Sequence, residues 1–194
     1  MSARKDIYYL EKQEITLSDF KCDEGWILDF GGGGEGIIGH IKGSRVIAID
    51  KYKGELIEAL ERGCKALFIV MDGTELTFLD NTFPTATAFY SLMYVKESEE
   101  LERIFREIYR VLKPEGRFFV WDGNFALPND PEKEIIAFKF SITLPTGKLV
   151  ETGYATRKTA QSFEEFLSLS EKVGFELDSS QNSEFQFHMV LRKP

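Results

Sequence analysis

Two carboxylates flank a run of glycines early in the chain. Residues 29–36 read AspPheGlyGlyGlyGlyGluGly, and Asp50 follows 21 residues after Asp29. Gly31, Gly33 and Gly36 satisfy the spacing G-x-G-x-x-G. Glycines allow a tight turn and close approach of a ligand to the backbone, and an acid about twenty residues on can accept from ribose hydroxyls. That is the chemistry of nucleotide binding. Five glycines in six positions cost conformational entropy, so they need a reason. Charge narrows the ligand. A pyrophosphate favours bare N–H groups and a helix N-terminus with no anion nearby. Here Asp29 precedes the glycines, Glu35 sits among them, and no Lys or Arg occurs between 29 and 41. No Lys-Ser/Thr pair follows, so a P-loop is excluded too. A nucleoside that bears a positive charge and no phosphate has the opposite preference. S-adenosylmethionine, with its sulfonium and ammonium groups, is such a ligand.

The elements that would position these residues alternate. Apolar runs at 26–30, 45–50 and 66–71 predict three buried strands, with a weaker fourth strand at 85–90 and a fifth at 117–121. A short amphipathic helix near 54–62 closes at Gly63. The strongest helix is expected to start with Ser98 as its cap and with Glu99 and Glu100 at its positive end. Its apolar stripe is Leu101, Ile104, Phe105, Ile108, Val111 and Leu112, and residues 113–116 stop it. Residues 134–144 then alternate apolar and polar, 145–148 turn, and 149–156 return, which predicts a β-hairpin (134–156) inserted after the fifth strand. Ser162 and Glu165 form a capping box for a helix that runs through Val173 and ends at Gly174. Strands near 175–178 and 184–191 finish the chain. Such alternation implies a mostly parallel sheet covered on both faces, with ligands at the carboxyl ends of its strands.

Several segments in this order resemble the class I S-adenosylmethionine (SAM)-dependent methyltransferases, over roughly residues 24–121. IleLeuAspPheGlyGlyGlyGlyGluGly is similar to the family's first motif, and IleAsp at 49–50 to its ribose-binding acid. MetAspGlyThrGluLeu at 71–76 resembles the segment in which an Asp meets the adenine amino group. AsnThrPhePro at 81–84 with the following FYSLMYV, and LeuLysProGluGly at 112–116, resemble the fourth strand and the turn before the fifth. Two departures stand out. Glu35 occupies the place of the last close glycine, which predicts a one-residue bulge, and Pro84 removes a backbone donor at a strand entrance. The resemblance implies an α/β fold, a three-layer αβα Rossmann-like sandwich whose seven-stranded sheet has an antiparallel last strand.

It also implies roles. Asp50 accepts from the ribose, with pairing to Lys51 or Lys53 as the plain alternative. Asp72, with Gly73, meets the adenine, or only closes an Asx-turn. Asp29 orients the loop of Gly31, Gly32 and Gly33 or the methionine ammonium. Tyr52 lies against the adenine or on the surface, and Tyr90, Ser91 and Tyr94 border the methyl, with core the alternative for Tyr94. An oxygen or carbon acceptor would need a base, for which Tyr90, Tyr94 and Asp122 are the candidates. Trp121, Asp122 and Asn124 suit a substrate pocket, with Trp121 as core the alternative. Tyr154 and the hairpin cover the substrate or form a homodimer contact. His40 and His188 receive no role, Cys22 and Cys64 read as inert thiols, and no metal spacing occurs.

Bulk properties set the outer bounds. The chain has 194 residues, expected as a single domain over 1–194. Its net charge is −8, which disfavours nucleic acid as a partner. No apolar run approaches the roughly 20 residues that span a bilayer, and the charged N-terminus has no signal-peptide core, so a cytoplasmic location is expected. The reading is a SAM-dependent methyltransferase acting on a small-molecule acceptor. A non-catalytic SAM-binding protein and an NAD-dependent oxidoreductase are the alternatives.

Overall fold

The computed structural model describes residues 6–17, 20–124, 133–157 and 161–194. Met1–Lys5 of the charged N-terminal segment fall outside these. Two short strands that the sequence reading did not expect come first, β1 (Ile7–Tyr9) and β2 (Gln13–Thr16). Then follow β3 (Ile27–Phe30), α1 (Ile37–Lys42), β4 (Val46–Asp50), α2 (Lys53–Glu61), β5 (Leu67–Val70), β6 (Phe83–Phe89) and α3 (Ser98–Val111). The chain continues with β7 (Leu112–Gly123), β8 (Ile135–Thr143), β9 (Leu149–Arg157), α4 (Phe163–Val173), β10 (Glu176–Asn182) and β11 (Gln186–Arg192).

Seven strands form one sheet in the order β10-β11-β7-β6-β3-β4-β5. Strands β3 to β7 pair parallel, and β11 runs antiparallel to both β7 and β10. Strand order reverses beside β3, because β4 and β5 extend one way and β6 and β7 the other. Loops at that switch point diverge and leave a crevice. Leu28, Ile49, Phe105, Phe118 and Phe166 pack one face of the sheet with α3 and α4, and Ile27, Val46, Ile38 and Ala59 pack the other with α1 and α2. The predicted stripe is buried throughout, but its last member, Leu112, begins β7 instead of closing α3. The cap of α3 differs from expectation. Glu97 holds the cap position without a side-chain hydrogen bond, and Ser98 is already helical. Ser162 caps α4 as expected, accepting from Glu165 N, and Gly174 ends it at φ 112°. No turn separates α3 from β7. Instead the pairing register shifts between Phe83 and Thr85, with Glu115 at φ 64°. Pro84 sits in that irregularity, where a missing N–H costs no ladder bond.

The second sheet is built around β8. Strand β9 pairs with it antiparallel along one edge, while β1 and β2 follow one another in parallel along the other. Alternation puts Ile136, Phe138, Phe140 and Ile142 on one face, and that face packs into the same core as Tyr90, Phe119 and Trp121. Its apolar side is therefore covered by the chain itself, and no second subunit is needed to bury it. This sheet roofs the crevice whose floor is the carboxyl ends of β3 to β6. No helix among the described residues is long and apolar enough to cross a membrane.

Candidate functional site

A cavity of about 660 Å³ lies between floor and roof. The loop after β3 lies flat on the strand ends because its residues lack side chains. A Cβ on Gly31 would stand 2.3 Å from the Ser91 Cβ, one on Gly32 2.4 Å from Asp29 Oδ2, and one on Gly33 2.4 Å from the Glu55 Cβ. Gly31 is also left-handed, at φ 64°. Bare backbone thus faces the cavity, as a closely approaching ligand requires. The expected bulge at Glu35 is a turn. Gly36 N donates to Gly33 O at 3.1 Å, and Gly36, at φ 58°, caps α1.

Asp50 ends β4 beside this loop. Its Oδ1 accepts from Tyr52 N at 2.8 Å, and Gly33 N also donates to the carboxylate. Lys51 turns away, to 4.0 Å from Glu100 and over the Tyr52 ring, so the alternative ion pair is not formed. Burial raises the Asp50 pKa, partly offset by those backbone donors and by Lys51. A carboxylate offers about four acceptor directions, so two remain toward the cavity. Asp29 is buried beneath Gly32 and accepts from Thr87 Oγ1 at 2.7 Å. Burial lifts its pKa to about 7, against the Thr87 bond, with nearby Asp50 adding to the rise. Asp72 forms the Asx-turn, accepting at Oδ1 from Thr74 N at 2.8 Å and Thr74 Oγ1 at 2.7 Å, which lowers its pKa. It still lines the cavity, as does Gly73, which seats against the Phe30 ring. Tyr52 lines the rim, 62% exposed.

The base candidates fare differently. Tyr90 borders the cavity, but its OH donates to Gln186 Oε1 at 2.6 Å, and burial, then Asp122, holds its pKa far above the usual value. Asp122 does not line the cavity. It is buried, accepting from Met93 N at 3.1 Å and Gly123 N at 2.8 Å. Burial raises its pKa to about 7 against these bonds. It is a strut for the 92–94 turn. Tyr94 does reach the cavity. Burial, then Glu35, Asp122 and Glu55, pushes its phenol up to about 12.

Trp121 and Asn124, expected in a substrate pocket, do not line this cavity. Trp121 is buried and stacks on His188, with ring centroids 4.5 Å apart. Asn124 ties Asn182 and Ser183 to the Phe163 N–H. Burial lowers the His188 pKa to about 4, and burial, then Lys148 and Arg62, lowers that of His40. Cys64 is buried beneath α1, close to Gly36 and Gly39, with its pKa raised chiefly by burial. Among the described residues no group of His, Cys, Asp or Glu is placed to hold a metal.

Two roof residues join the site. Thr152 Oγ1 donates to Glu35 Oε1, and Tyr154 OH donates to Glu35 Oε2 at 3.0 Å. Tyr154 was expected over the substrate or at a homodimer contact; for its bond to Glu35 the signal was Glu35 itself, a charge where the resemblance wants glycine. Ser91, expected beside the methyl with Tyr90 and Tyr94, lines the cavity. Its Oγ donates to Phe30 O at 2.8 Å and locks the β3 and β6 loops together.

The wall holds eight carboxylates (Asp29, Glu35, Asp50, Glu55, Glu58, Asp72, Glu100 and Glu151) against Lys51 and Arg62. Arg62 is bound by Glu58 at 2.5 Å. Diphosphates would meet repulsion here, whereas a sulfonium or ammonium is favoured. The flat glycine floor, the available Asp50 oxygens and this charge fit SAM.

Comparison with known proteins agrees. Residues 28–120 match the family described as methyltransferase domain. A sterol methyltransferase-like protein of Botryococcus braunii is 28% identical over 150 residues, covering 74% of this chain and 35% of its own length. A ubiquinone/menaquinone biosynthesis C-methyltransferase of Klebsiella pneumoniae is 30% identical over 116 residues, covering 56% of this chain and 45% of its own. The chain thus spans less than half the length of these curated relatives. A solved SAM-dependent methyltransferase from Methanosarcina mazei superposes over 88% of this chain and 93% of that one, with a TM-score of 0.64 at 22% identity, a likeness of fold. Residues 28–120 of this chain therefore match a methyltransferase domain, set in a fold shared with solved SAM-dependent methyltransferases.

Proposed function

We propose that the chain, acting as one unit over residues 1–194, transfers a methyl group from SAM to a small-molecule acceptor. The observation that supports this most is the acid-walled cavity floored by bare glycine backbone. When bound, SAM supplies an electrophilic methyl on a cationic sulfur. The remaining chemistry belongs to this chain. Asp50 accepts from the ribose hydroxyls through its two unused directions. Asp72 and Gly73 border the adenine, with Tyr52 at the rim. Asp29 supports Gly32 from below and fixes the loop of Gly31, Gly32 and Gly33. Tyr90 closes the far end with its ring, its hydroxyl being committed to Gln186. Tyr94 keeps its proton at neutral pH and so donates a hydrogen bond rather than acting as a base. The roof excludes water and holds the acceptor in line. Such orientation can lower a barrier by roughly 7–11 kcal/mol. A cavity of about 660 Å³ must hold both SAM and acceptor, which favours a small acceptor. The acidic wall and the net charge of −8 weigh against nucleic acid.

Calorimetry tests the reading. Saturable binding of S-adenosylhomocysteine with no heat from NADH is expected. Binding of NADH alone would replace this proposal with the oxidoreductase.

A further inference from the structure

Strand order sets the direction of the bound nucleoside, given the cofactor reading above. Asp72 follows β5, Asp50 ends β4 and the glycine loop follows β3. Adenine, ribose and methionine ends therefore run from β5 toward β6. The reacting end falls where the β6 end meets the roof. That space is walled by Tyr94, Tyr154 and Glu35. Tyr94 is 48% exposed, so a face of its ring is open to a ligand. Tyr154 is braced by Tyr90, whose ring is parallel to it with centroids 5.8 Å apart. Glu35 is fixed by Thr152 and Tyr154, which use two of its roughly four acceptor directions.

An aromatic wall with a fixed carboxylate is a receptor for a cation, since ring faces and carboxylate oxygens are both negative. Arg62 lies within electrostatic reach of Glu35 and Tyr154, but its guanidinium is bound by Glu58, and Lys51 stands beside Glu100. An anionic acceptor therefore meets Glu35 with no uncommitted counter-charge. We propose that the acceptor is an amine, seated as its ammonium against Glu35 between the rings of Tyr94 and Tyr154. The ammonium proton passes to the Glu35 carboxylate. The nitrogen lone pair then forms the N–C bond, while the electrons of the breaking S–C bond stay on sulfur. The methylated ammonium carries away the charge that the sulfonium brought.

The test is binding, independent of turnover. Protein saturated with S-adenosylhomocysteine is titrated calorimetrically with choline and with 3,3-dimethylbutan-1-ol, its uncharged isostere. Choline should bind at least ten-fold more tightly. Tyr94→Leu, at a half-exposed position that does not endanger folding, should cut that preference at least three-fold, and Glu35→Gln should abolish it. Equal binding of the two probes, or a preference unchanged in both variants, overturns the amine while leaving the methyltransferase reading intact. Absence of S-adenosylhomocysteine binding overturns that reading and this proposal with it.

Discussion

The floor and the roof of the cavity are built on opposite principles. In the floor, the candidate residues stand in the last two positions of a parallel strand or just beyond its end. Asp29 lies within β3, Asp50 ends β4, and Tyr90 follows β6. Strand spacing then fixes their separations, and the loop between them is held by glycines in contact with Ser91, Asp29 and Glu55. The roof is assembled from distant pieces. Strands β1 and β2 lie along β8, with Ile7 opposite Ile135 and Gln13 opposite Phe140. Its grip on the floor includes the hydrogen bonds to Glu35. A floor of this kind tolerates little change, whereas a roof can vary with the acceptor.

The largest effect should come from the floor. Asp50→Ala removes the acceptor proposed for both ribose hydroxyls. Two hydrogen bonds to a charged group at about 1.5–3 kcal/mol each imply a loss of at least about 3 kcal/mol, or roughly a hundred-fold in affinity for S-adenosylhomocysteine. Calorimetry reads this, with circular dichroism to show that the fold survives. A loss under five-fold would mean that β4 does not hold the ribose.

Next comes a paired glycine test. Gly31→Ala forces a Cβ to 2.3 Å from the Ser91 Cβ at φ 64°. It should cost about 3 kcal/mol, a fall of roughly 6–12 °C in Tm. Gly153 in β9 also lines the cavity, yet the nearest atom to an added Cβ there is the Phe138 carbonyl oxygen at 3.6 Å. Gly153→Ala should shift stability by less than about 0.5 kcal/mol. Similar losses at both glycines would erase the contrast between floor and roof.

The same contrast explains what the sequence disclosed. Floor residues and their order were legible because strand ends and glycine turns leave local patterns. The stripe of α3 and the Ser162 cap were legible for the same reason. Strands β1 and β2 were not. They have three and four residues, and their partner lies more than a hundred positions away. Helix α1 was hidden by Gly39, an interior glycine required because a Cβ there would stand 2.1 Å from the Cys64 Sγ. The candidate bases failed through long-range partners that no spacing reveals. Gln186 engages the Tyr90 hydroxyl, and the Met93 backbone engages Asp122. Trp121 lies at a strand end, as a pocket residue would, but His188 on the neighbouring β11 covers it.

A third prediction concerns charge beneath the floor. The Asp29 pKa is near 7 in the folded protein and about 3.9 in an unfolded chain. Folding therefore favours the protonated acid. That contribution is complete below about pH 4 and is lost as pH rises through 7, so stability should fall across this window. Asp122 acts with the same sign. Asp29→Asn keeps an acceptor for Thr87 and removes one of the two titrations. The variant should lose less stability between pH 4.5 and pH 8 than the parent, by on the order of 2 kcal/mol. Parallel Tm–pH curves would show that Asp29 is ionised at no cost.

The smallest effect tests the seam between the two regions. Tyr154→Phe deletes only the hydroxyl that reaches Glu35 and leaves the ring on Tyr90. Loss of a hydrogen bond to a carboxylate, part of it regained from water, should cost about 1.5 kcal/mol. The distribution of that cost matters more than its size. If the roof is a separately opening unit, amide exchange should quicken in β9 and β8 while β3 and β6 keep their protection. Uniform quickening in both sheets would mean that floor and roof open together, and that Glu35 belongs to the common core rather than to the seam.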